Sequence, residues 1–238
     1  MSTGLLLAGL VVFAGSVVQG GVGFGLNLIA APILALIDPE LVPVPVLLIA
    51  CAQAGLTVLR ERRETHWPGV GWAMAGRLPG NLLGVLALAS LPLAGFTIAV
   101  GLSVLACVAL SLLTWQPAIT RSSLVIAGAA SGAFGTAASI GGPPMALLYQ
   151  NSAGPRMRAT LGAYFLFSSV SSVLTLTIAG QVTVRHLWAA LVLLPFMGLG
   201  FLVSSPLRRF LDDGRIRYAV LAVAAGSALL LVARGVFG

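Results

Sequence analysis

The chain has 238 residues, of which 58% are hydrophobic and only 8% are charged, and its mean hydropathy is +1.05. A water-soluble globular domain carries about 25% charged residues, so this composition excludes an ordinary soluble enzyme and is typical of a membrane protein. The thirteen basic residues are all arginines and outnumber the six acids, but they lie in short clusters between long uncharged runs. This arrangement favours basic membrane loops over a nucleic-acid-binding surface.

Charged residues divide the chain into apolar blocks. Most blocks have about 20 residues, the length that a helix needs to cross a hydrocarbon core about 30 Å thick. They predict crossings at about 41–59, 68–90, 95–114, 159–180, 187–205 and 218–237. The sequence therefore predicts an all-α polytopic membrane protein.

Two longer blocks, 5–37 and 122–150, contain clusters of glycine and proline. The first is interrupted at Gln19–Gly25, and the second at Ser131–Thr136 and again at Gly141–Pro144. Glycine is conformationally free and proline lacks an N–H donor, so such clusters break helices. Inside a membrane they do so only where protein or water satisfies the backbone. Each block is therefore predicted to consist of two half-helices.

The arginines indicate whether these broken blocks cross the membrane, because short cytoplasmic loops attract basic residues. If each block crosses once, the twelve arginines other than Arg77 divide six against six. If each block is a re-entrant hairpin, ten share one side, and only Arg185 and Arg234 oppose them: Arg60, Arg62, Arg63, Arg121, Arg156, Arg158, Arg208, Arg209, Arg215 and Arg217. We therefore predict two hairpins in a plasma (bacterial inner) membrane, with the N-terminus outside together with Asp38 and Glu40.

The two halves of the chain share a spaced pattern of glycine and proline. An offset of 112 residues pairs Gly20 with Gly132, Gly23 with Gly135, Asn27 with Ser139 and Pro32 with Pro144, and an offset of 116 pairs Pro79 with Pro195 and Gly84 with Gly200. We predict two repeats, 1–118 and 119–238, each with one hairpin and three crossings. Because three is odd, the second repeat enters the membrane inverted, as in many secondary transporters.

The glycine-rich segments also carry a family resemblance. The first half contains Gly20–Gly25 followed by Pro32, and the second contains Gly132–Gly135 followed by Gly141–Pro144. In these motifs and in the basic loop at 60–66, the sequence resembles the TauE/SafE sulfite exporters, also called the TSUP family, over nearly its whole length. The resemblance implies a multi-spanning carrier of sulfite, sulfonates or related organosulfur anions.

An oxyanion inside the membrane must exchange its water for fixed hydrogen-bond donors. The start of a half-helix supplies free N–H groups and a partial charge of about +0.5, and two such starts are expected just after Gly25 and around Ser139 to Gly142. The predicted substrate-binding residues are Gln19, Gly20, Gly23, Gly25, Asn27, Arg77, Gly135, Thr136, Ser139, Gly141 and Gly142. The alternative stays open that the glycines only pack helices and the polar side chains only cap or join them.

Arg77 is the charge that lies deepest inside a predicted crossing, about 12 Å from the start of its helix. An anion is the natural partner of such an arginine. The alternative is that its long side chain extends to the cytoplasmic surface. At the offset of 116 its repeat partner is Leu193, so no symmetric counterpart is expected.

The leading hypothesis is a secondary transporter of small sulfur-containing oxyanions that works by alternating access around the paired hairpin tips. The alternative is a passive anion channel or a membrane subunit of a larger complex. The expected partners are the anion and the lipid bilayer, without nucleic acid, and homodimerisation is left open.

Other classes lack the residues that their chemistry needs. An intramembrane serine protease requires a histidine within the bilayer, but His66 and His186 both lie in predicted loops. No GxxxxGK[ST] loop is present for ATP hydrolysis, and no His, Cys or acidic cluster lies in the crossings to bind a metal. We therefore expect neither an enzyme nor a cofactor or metal. The coupling ion is left open, since all six acids are in loops.

Overall fold

The computed structural model describes residues 3–112, 117–211 and 215–237. The side chains at 3, 93, 207–211 and 215–217 lie outside this description, and with them those of Arg208, Arg209, Arg215 and Arg217. Within the described ranges all regular secondary structure is helical. The chain forms α1 Thr3–Val22, α2 Leu26–Ile37, α3 Val44–Glu61, α4 Trp67–Ser90, α5 Leu93–Leu112, α6 Arg121–Ala138, α7 Gly142–Tyr149, α8 Gly154–Ile178, α9 Val184–Leu211 and α10 Arg215–Phe237, with short 3₁₀ turns at Pro39–Leu41 and Arg62–Glu64.

Six of these helices, α1, α3, α5, α8, α9 and α10, are long and apolar enough to cross a membrane. Helix α4 has 24 residues, which is also long enough, but it is rich in glycine and carries Arg77. Each predicted crossing corresponds to one of these helices, although α3 begins three residues later than the predicted 41 and α8 ends two residues before the predicted 180; the end of the crossing at 95–114 lies outside the described residues. The chain is a multi-pass membrane protein.

The two predicted helix breaks are present at Gly23–Gly25 and at Ser139–Gly141. Gly23 and Gly25 have φ angles of 97° and 131°, and Ser139 has a φ of 62°. Such positive φ angles are easy for glycine and uncommon for other residues, so the first turn depends on its glycines. These segments separate α1 from α2 and α6 from α7.

Two details of the predicted breaks are wrong. Helix α1 continues through Gly20 to Val22 and is 20 residues long, so it is not a half-helix. Helix α6 likewise runs unbroken through Ser131–Thr136 to Ala138. Glycine in a helix costs only about 1 kcal/mol relative to alanine, and here close packing against α9 and α4 offsets that cost.

Ion pairs identify two opposite ends of the molecule. At one, which we call the basic end, Glu61 at the end of α3 pairs with Arg158 in the first turns of α8 at 3.2 Å. At the other, the acidic end, Arg185 pairs with Asp38 at 3.3 Å and with Glu40 at 2.7 Å. Helix α3 runs from the acidic end to the basic end.

Helix α2 returns alongside α1. A methyl group added to Gly4, in the first turn of α1, would contact Ile37 Cγ2 in the last turn of α2 at 3.5 Å. The acidic end also receives the last turn of α10, where Arg234 Nη1 donates to the Leu36 carbonyl at 2.7 Å. The start of α1 and the end of α2 therefore both lie at the acidic end.

Helix α6 begins at the basic end, and helix α7 ends there. Arg121, the first residue of α6, lies over the ring of Trp72 in the second turn of α4. Tyr149, the last residue of α7, contacts His66 just before α4, with 2.9 Å between the hydroxyl and Nδ1. The chain therefore reverses direction at each break. After Gly23–Gly25 it returns to the acidic end, and after Ser139–Gly141 it returns to the basic end.

The helices pack in a pattern that is unchanged when α1–α5 are exchanged with α6–α10. Helix α1 packs along α9 as α6 packs along α4; α3 pairs with α8, and α5 with α10. Helix α2 contacts α10 as α7 contacts α5, and α4 contacts α8 as α9 contacts α3. The largest buried apolar cluster surrounds α2, and many leucines on the outer helix faces are exposed, as lipid contact requires.

Candidate functional site

The two helix breaks meet inside the molecule. The Asn27 side chain donates from Nδ2 to the Ser139 carbonyl at 2.6 Å, although these residues are 112 positions apart. The Ser139 hydroxyl donates to the Pro43 carbonyl at 2.9 Å, and Gln19 Oε1 accepts from the backbone N–H of Leu26 at 3.2 Å. The starts of α2 and α7 are therefore joined directly by hydrogen bonds.

Arg77 of α4 lies beside this junction and is only 1% exposed. Its Nη1 donates to the Ser131 carbonyl at 2.9 Å, to the Ser131 hydroxyl at 3.0 Å and to the Tyr164 hydroxyl at 3.2 Å. Its Nη2 donates to the Ser172 hydroxyl at 2.8 Å, while Nε has no hydrogen-bond partner. The side chain is enclosed by protein and does not extend to the membrane surface.

The partners of Arg77 are all neutral. In the described part of the chain every ion pair lies at the basic or the acidic end, and none includes Arg77. A buried charge is costly unless an opposite charge accompanies it. The positive charge of Arg77 is therefore solvated by hydroxyl and carbonyl groups but not neutralised.

Glycines allow the guanidinium to fit between the helices. A Cβ atom on Gly135 would lie 2.8 Å from Arg77 Nη2, and one on Gly141 would lie 3.1 Å from Nη1. Gly76 and Gly80, on either side of Arg77 in α4, lie directly against the carbonyls of Val125 and Ala129 in α6. Side chains at these positions would separate α4 from α6 and displace the arginine.

A second set of polar groups holds the arginine's partners in place. The Thr136 hydroxyl donates to Asn81 Oδ1 at 3.0 Å and lies 2.7 Å from the Ser172 hydroxyl. Asn81 in turn donates from Nδ2 to the Ser171 hydroxyl at 2.7 Å. Thr136 therefore joins α6 to α4 and α8, and supports Ser172 where it meets Arg77.

A small cavity of about 30 Å³ lies between Arg77 and the two breaks. It can hold about two water molecules, since each water molecule needs roughly 10–15 Å³ of cavity volume. Among the described residues that line it, Arg77 carries the only charge. The polar and glycine lining consists of Gln19, Gly25, Asn27, Arg77, Gly135, Ser139, Gly141, Gly142, Ser168 and Ser169.

The structure brings eight of the eleven predicted site residues to this cavity. The other three are Gly20, Gly23 and Thr136. Gly20 packs against Ser204 of α9, and Gly23 packs against the Arg158 side chain at the basic end.

The Oδ1 atom of the Asn27 side chain is buried and has no hydrogen-bond partner.

The serines of α8 are the site residues that the sequence reasoning missed. Ser168 and Ser169 line the cavity and Ser172 binds Arg77. The available signal is four serines within five residues, Ser168–Ser172, in an otherwise apolar crossing. Polar groups within a crossing usually face the protein interior.

These features define a polytopic membrane protein in which two broken helical segments meet at an interior cavity beside the buried guanidinium of Arg77. Metal binding has no support in the described ranges, where no group of three or more His, Cys, Asp or Glu residues occurs.

The chain matches the family described as Sulfite exporter TauE/SafE over residues 7–231. This match covers nearly the whole chain, which belongs to that family of membrane transporters. No curated protein and no solved structure matches the chain.

Proposed function

We propose that the protein is a secondary transporter of small sulfur-containing oxyanions, such as sulfite and sulfonates, and that the cavity beside Arg77 is its substrate site. The observation that carries this proposal is a guanidinium that is 1% exposed and has no acidic partner among the described residues. An intramembrane charge is expensive to maintain, and an anion in the adjacent cavity would neutralise it.

The lining of the cavity suits an oxyanion in other ways. Arg77 Nε is a donor without a partner, and the Ser169 side chain brings a hydroxyl group to the cavity wall, whereas the Ser168 hydroxyl donates to the Phe165 carbonyl at 3.1 Å. Gly25 and Gly141 immediately precede α2 and α7, so the positive ends of both helix dipoles face the same space. Glycine at both positions lets an anion approach the backbone closely.

Transport requires that this site open to each side in turn. We infer that α1–α5 and α6–α10 are inverted repeats, corresponding to the division at 118 and 119, and that they rock against each other around the cavity. Three observations support this inference: the exchangeable helix pairing, the repeat-related contact of Asn27 with Ser139, and the return of the two breaks toward opposite ends. Alternating access by inverted repeats around a site of broken helices is a general transporter mechanism.

The orientation follows from the distribution of arginines. Arg60, Arg121 and Arg158 lie at the basic end, and Arg185 and Arg234 at the acidic end. The positive-inside rule supports a cytoplasmic basic end, and we propose on that ground that the N-terminus lies outside a plasma (bacterial inner) membrane.

The direct test is flux in proteoliposomes that contain the purified protein. We expect saturable, counter-exchanging movement of sulfite and methanesulfonate, as a carrier shows and an open channel does not. Asn27→Ala combined with Ser139→Ala should cut the flux at least tenfold without unfolding the protein, whereas Arg121→Gln, which alters an exposed arginine outside the cavity, should not. If no sulfur oxyanion binds or moves, the proposal fails.

A further inference from the structure

We infer that the species accepted by the cavity beside Arg77 carries a single negative charge: hydrogensulfite or the head group of an organic sulfonate, and not the sulfite, sulfate or thiosulfate dianion. This inference rests on the proposed function and narrows its substrate class by charge.

The first step is the charge balance of the site. Arg77 is the one charged side chain among the described residues that line the cavity. A monoanion beside it gives a neutral pair, whereas a dianion leaves one negative charge buried in a low-dielectric interior. Uncompensated charge in such surroundings is strongly unfavourable.

The helix starts offer a second negative charge few free N–H donors, although both of their dipoles face the cavity. Gln19 Oε1 already accepts from the N–H of Leu26, the first residue of α2. Pro143 and Pro144 occupy the first turn of α7 and have no N–H to donate. Both helix starts therefore have fewer free donors than an ordinary helix N-terminus.

No acid or histidine among the described lining residues can supply a proton to a bound dianion. The nearest titratable groups contact lining residues without lining the cavity themselves: the Tyr164 hydroxyl accepts from Arg77 Nη1, and the Cys107 thiol donates to the Ile140 carbonyl at 3.7 Å. Glu61 and Arg158 pair with each other at the basic end and do not line the cavity. The proton that makes sulfite monoanionic must therefore arrive on the substrate.

Asn27 offers a place for such a proton. Its Nδ2 is committed to the Ser139 carbonyl, and its buried Oδ1 is an acceptor without a partner. An unpaired buried acceptor is unfavourable, and a substrate that carries its own O–H can satisfy it. The O–H of hydrogensulfite can donate to Oδ1 while the other oxygens accept from Arg77. Sulfite would then carry its own proton across, which requires no acid in a crossing.

The experiment compares three anions in proteoliposomes across a range from about pH 6 to about pH 8. Hydrogensulfite loses its proton near neutral pH, methanesulfonate stays a monoanion throughout, and thiosulfate stays a dianion. We expect the KM for total sulfite to rise about tenfold for each pH unit on the alkaline side, because the protonated fraction falls by that factor. The KM for methanesulfonate should change less than twofold, which controls for titration of the protein itself.

Thiosulfate should be carried at least tenfold less efficiently than methanesulfonate at every pH. A KM for total sulfite that does not change with pH, or thiosulfate flux equal to that of methanesulfonate, overturns the charge inference and leaves a sulfur-anion transporter standing. If none of the three anions moves or binds, the proposed function falls, and the charge inference falls with it.

Discussion

Arg77 is a fully buried guanidinium that several neutral groups hold at once. Ser131, Tyr164 and Ser172 accept from its two terminal nitrogens, and its planar fork allows all of these bonds together. A lysine at this position would keep the charge but has a single ammonium group on a flexible stem, so it could not reproduce that geometry.

We therefore predict that Arg77→Lys weakens methanesulfonate binding about tenfold and that Arg77→Gln removes it. The measurement is the rise in melting temperature on adding methanesulfonate, because a ligand that binds only the folded protein stabilises it. Arg121→Gln is the matched control, since Arg121 is exposed and lies over Trp72 away from the cavity. An undiminished ligand shift in Arg77→Gln would contradict the assigned role.

His66 gives the protein a pH-dependent stability outside the membrane-spanning segments. Its Nδ1 lies 2.9 Å from the Tyr149 hydroxyl. Burial, and to a lesser extent the charge of Arg156, lower the pKa of His66 from its usual value of 6.5. The unfolded chain therefore binds protons at a higher pH than the folded protein does.

It follows that stability is fully present above about pH 6.5 and declines as the pH falls from there toward the lower pKa of the folded state. We expect the melting temperature to fall across this window in wild type and to fall less in His66→Asn. A His66→Asn variant with the same pH dependence as wild type would show that other groups cause it.

At the residue scale, sequence reasoning could identify Arg77 as a candidate but could not decide its orientation. A long side chain about 12 Å inside a helix can extend to the surface or turn inward. What decides the direction is the serine-rich face of α8, because Ser172 and Tyr164 lie where the guanidinium ends. That contact joins residues 95 and 87 positions away, so local sequence does not contain it.

At the scale of the helices, α4 and α6 pack backbone against backbone, with little side-chain volume between them. Gly76, Gly80 and Gly84 lie in succession against the carbonyls of Val125, Ala129 and Ala133. Small residues at regular spacing let helix backbones approach closely in a membrane. The position of Arg77 depends on this approach.

Gly80→Ala should therefore destabilise the protein by about 1–3 kcal/mol, the usual cost of overpacking, because its new methyl group would overlap the Ala129 carbonyl. Gly71→Ala in the same helix is the control, since a Cβ there meets nothing within 4 Å. It should leave stability unchanged or raise it by up to about 1 kcal/mol through helix propensity. Thermal unfolding in detergent measures both, and equal effects would argue against the packed interface.

The same glycines explain why sequence predicted the breaks only in part. Gly23–Gly25 and Gly141 do lie at breaks, but Gly132 and Gly135 lie in an unbroken α6 that packs against α4 and Arg77. A glycine-rich stretch fits either role, and only the neighbouring helix decides between them. The second break at Ser139–Gly141 adjoins the predicted Gly141–Pro144 cluster, where two prolines stand in the first turn of α7.

At the scale of the whole molecule, helix contacts align α4 with α9 at a different offset from the 116 residues that the sequence predicts. Gly76 lies against Val125 and Gly200 lies against Phe13, while Phe13 and Val125 are 112 positions apart. On these contacts the counterpart of Gly76 is Gly200, at an offset of 124 instead of 116. Gly-rich apolar sequences align at several offsets, so spacing alone could not fix this register.

In that register the counterpart of Arg77 is Phe201, and Arg60 stacks over the Phe201 ring at 4.3 Å. A cation thus accompanies the equivalent position in both halves, although different helices supply it. Arg77 reaches the interior from α4, whereas Arg60 reaches α9 from the end of α3 and also contacts Glu61. The two halves pair their helices in the same pattern but differ in where they hold positive charge.

The proposed topology predicts opposite accessibility for two exposed loop positions. Thr183 lies near the acidic end beside Arg185, and Asn151 lies near the basic end between Tyr149 and Arg158. In a background without the two native cysteines, a cysteine at Thr183 should react with an impermeant reagent in intact cells. A cysteine at Asn151 should react only after permeabilisation, and the reverse result would place the N-terminus inside.

The central claim is that an oxyanion binds beside Arg77 where the two helix breaks meet. Selenite is a close chemical analogue of sulfite, and its selenium atom can be located by anomalous scattering in crystals of the protein. The account predicts one strong selenium peak in the cavity, within hydrogen-bond reach of Arg77 and Asn27, which is lost in Arg77→Gln. A peak elsewhere in the protein with an empty cavity, or an unchanged peak in Arg77→Gln, would contradict it.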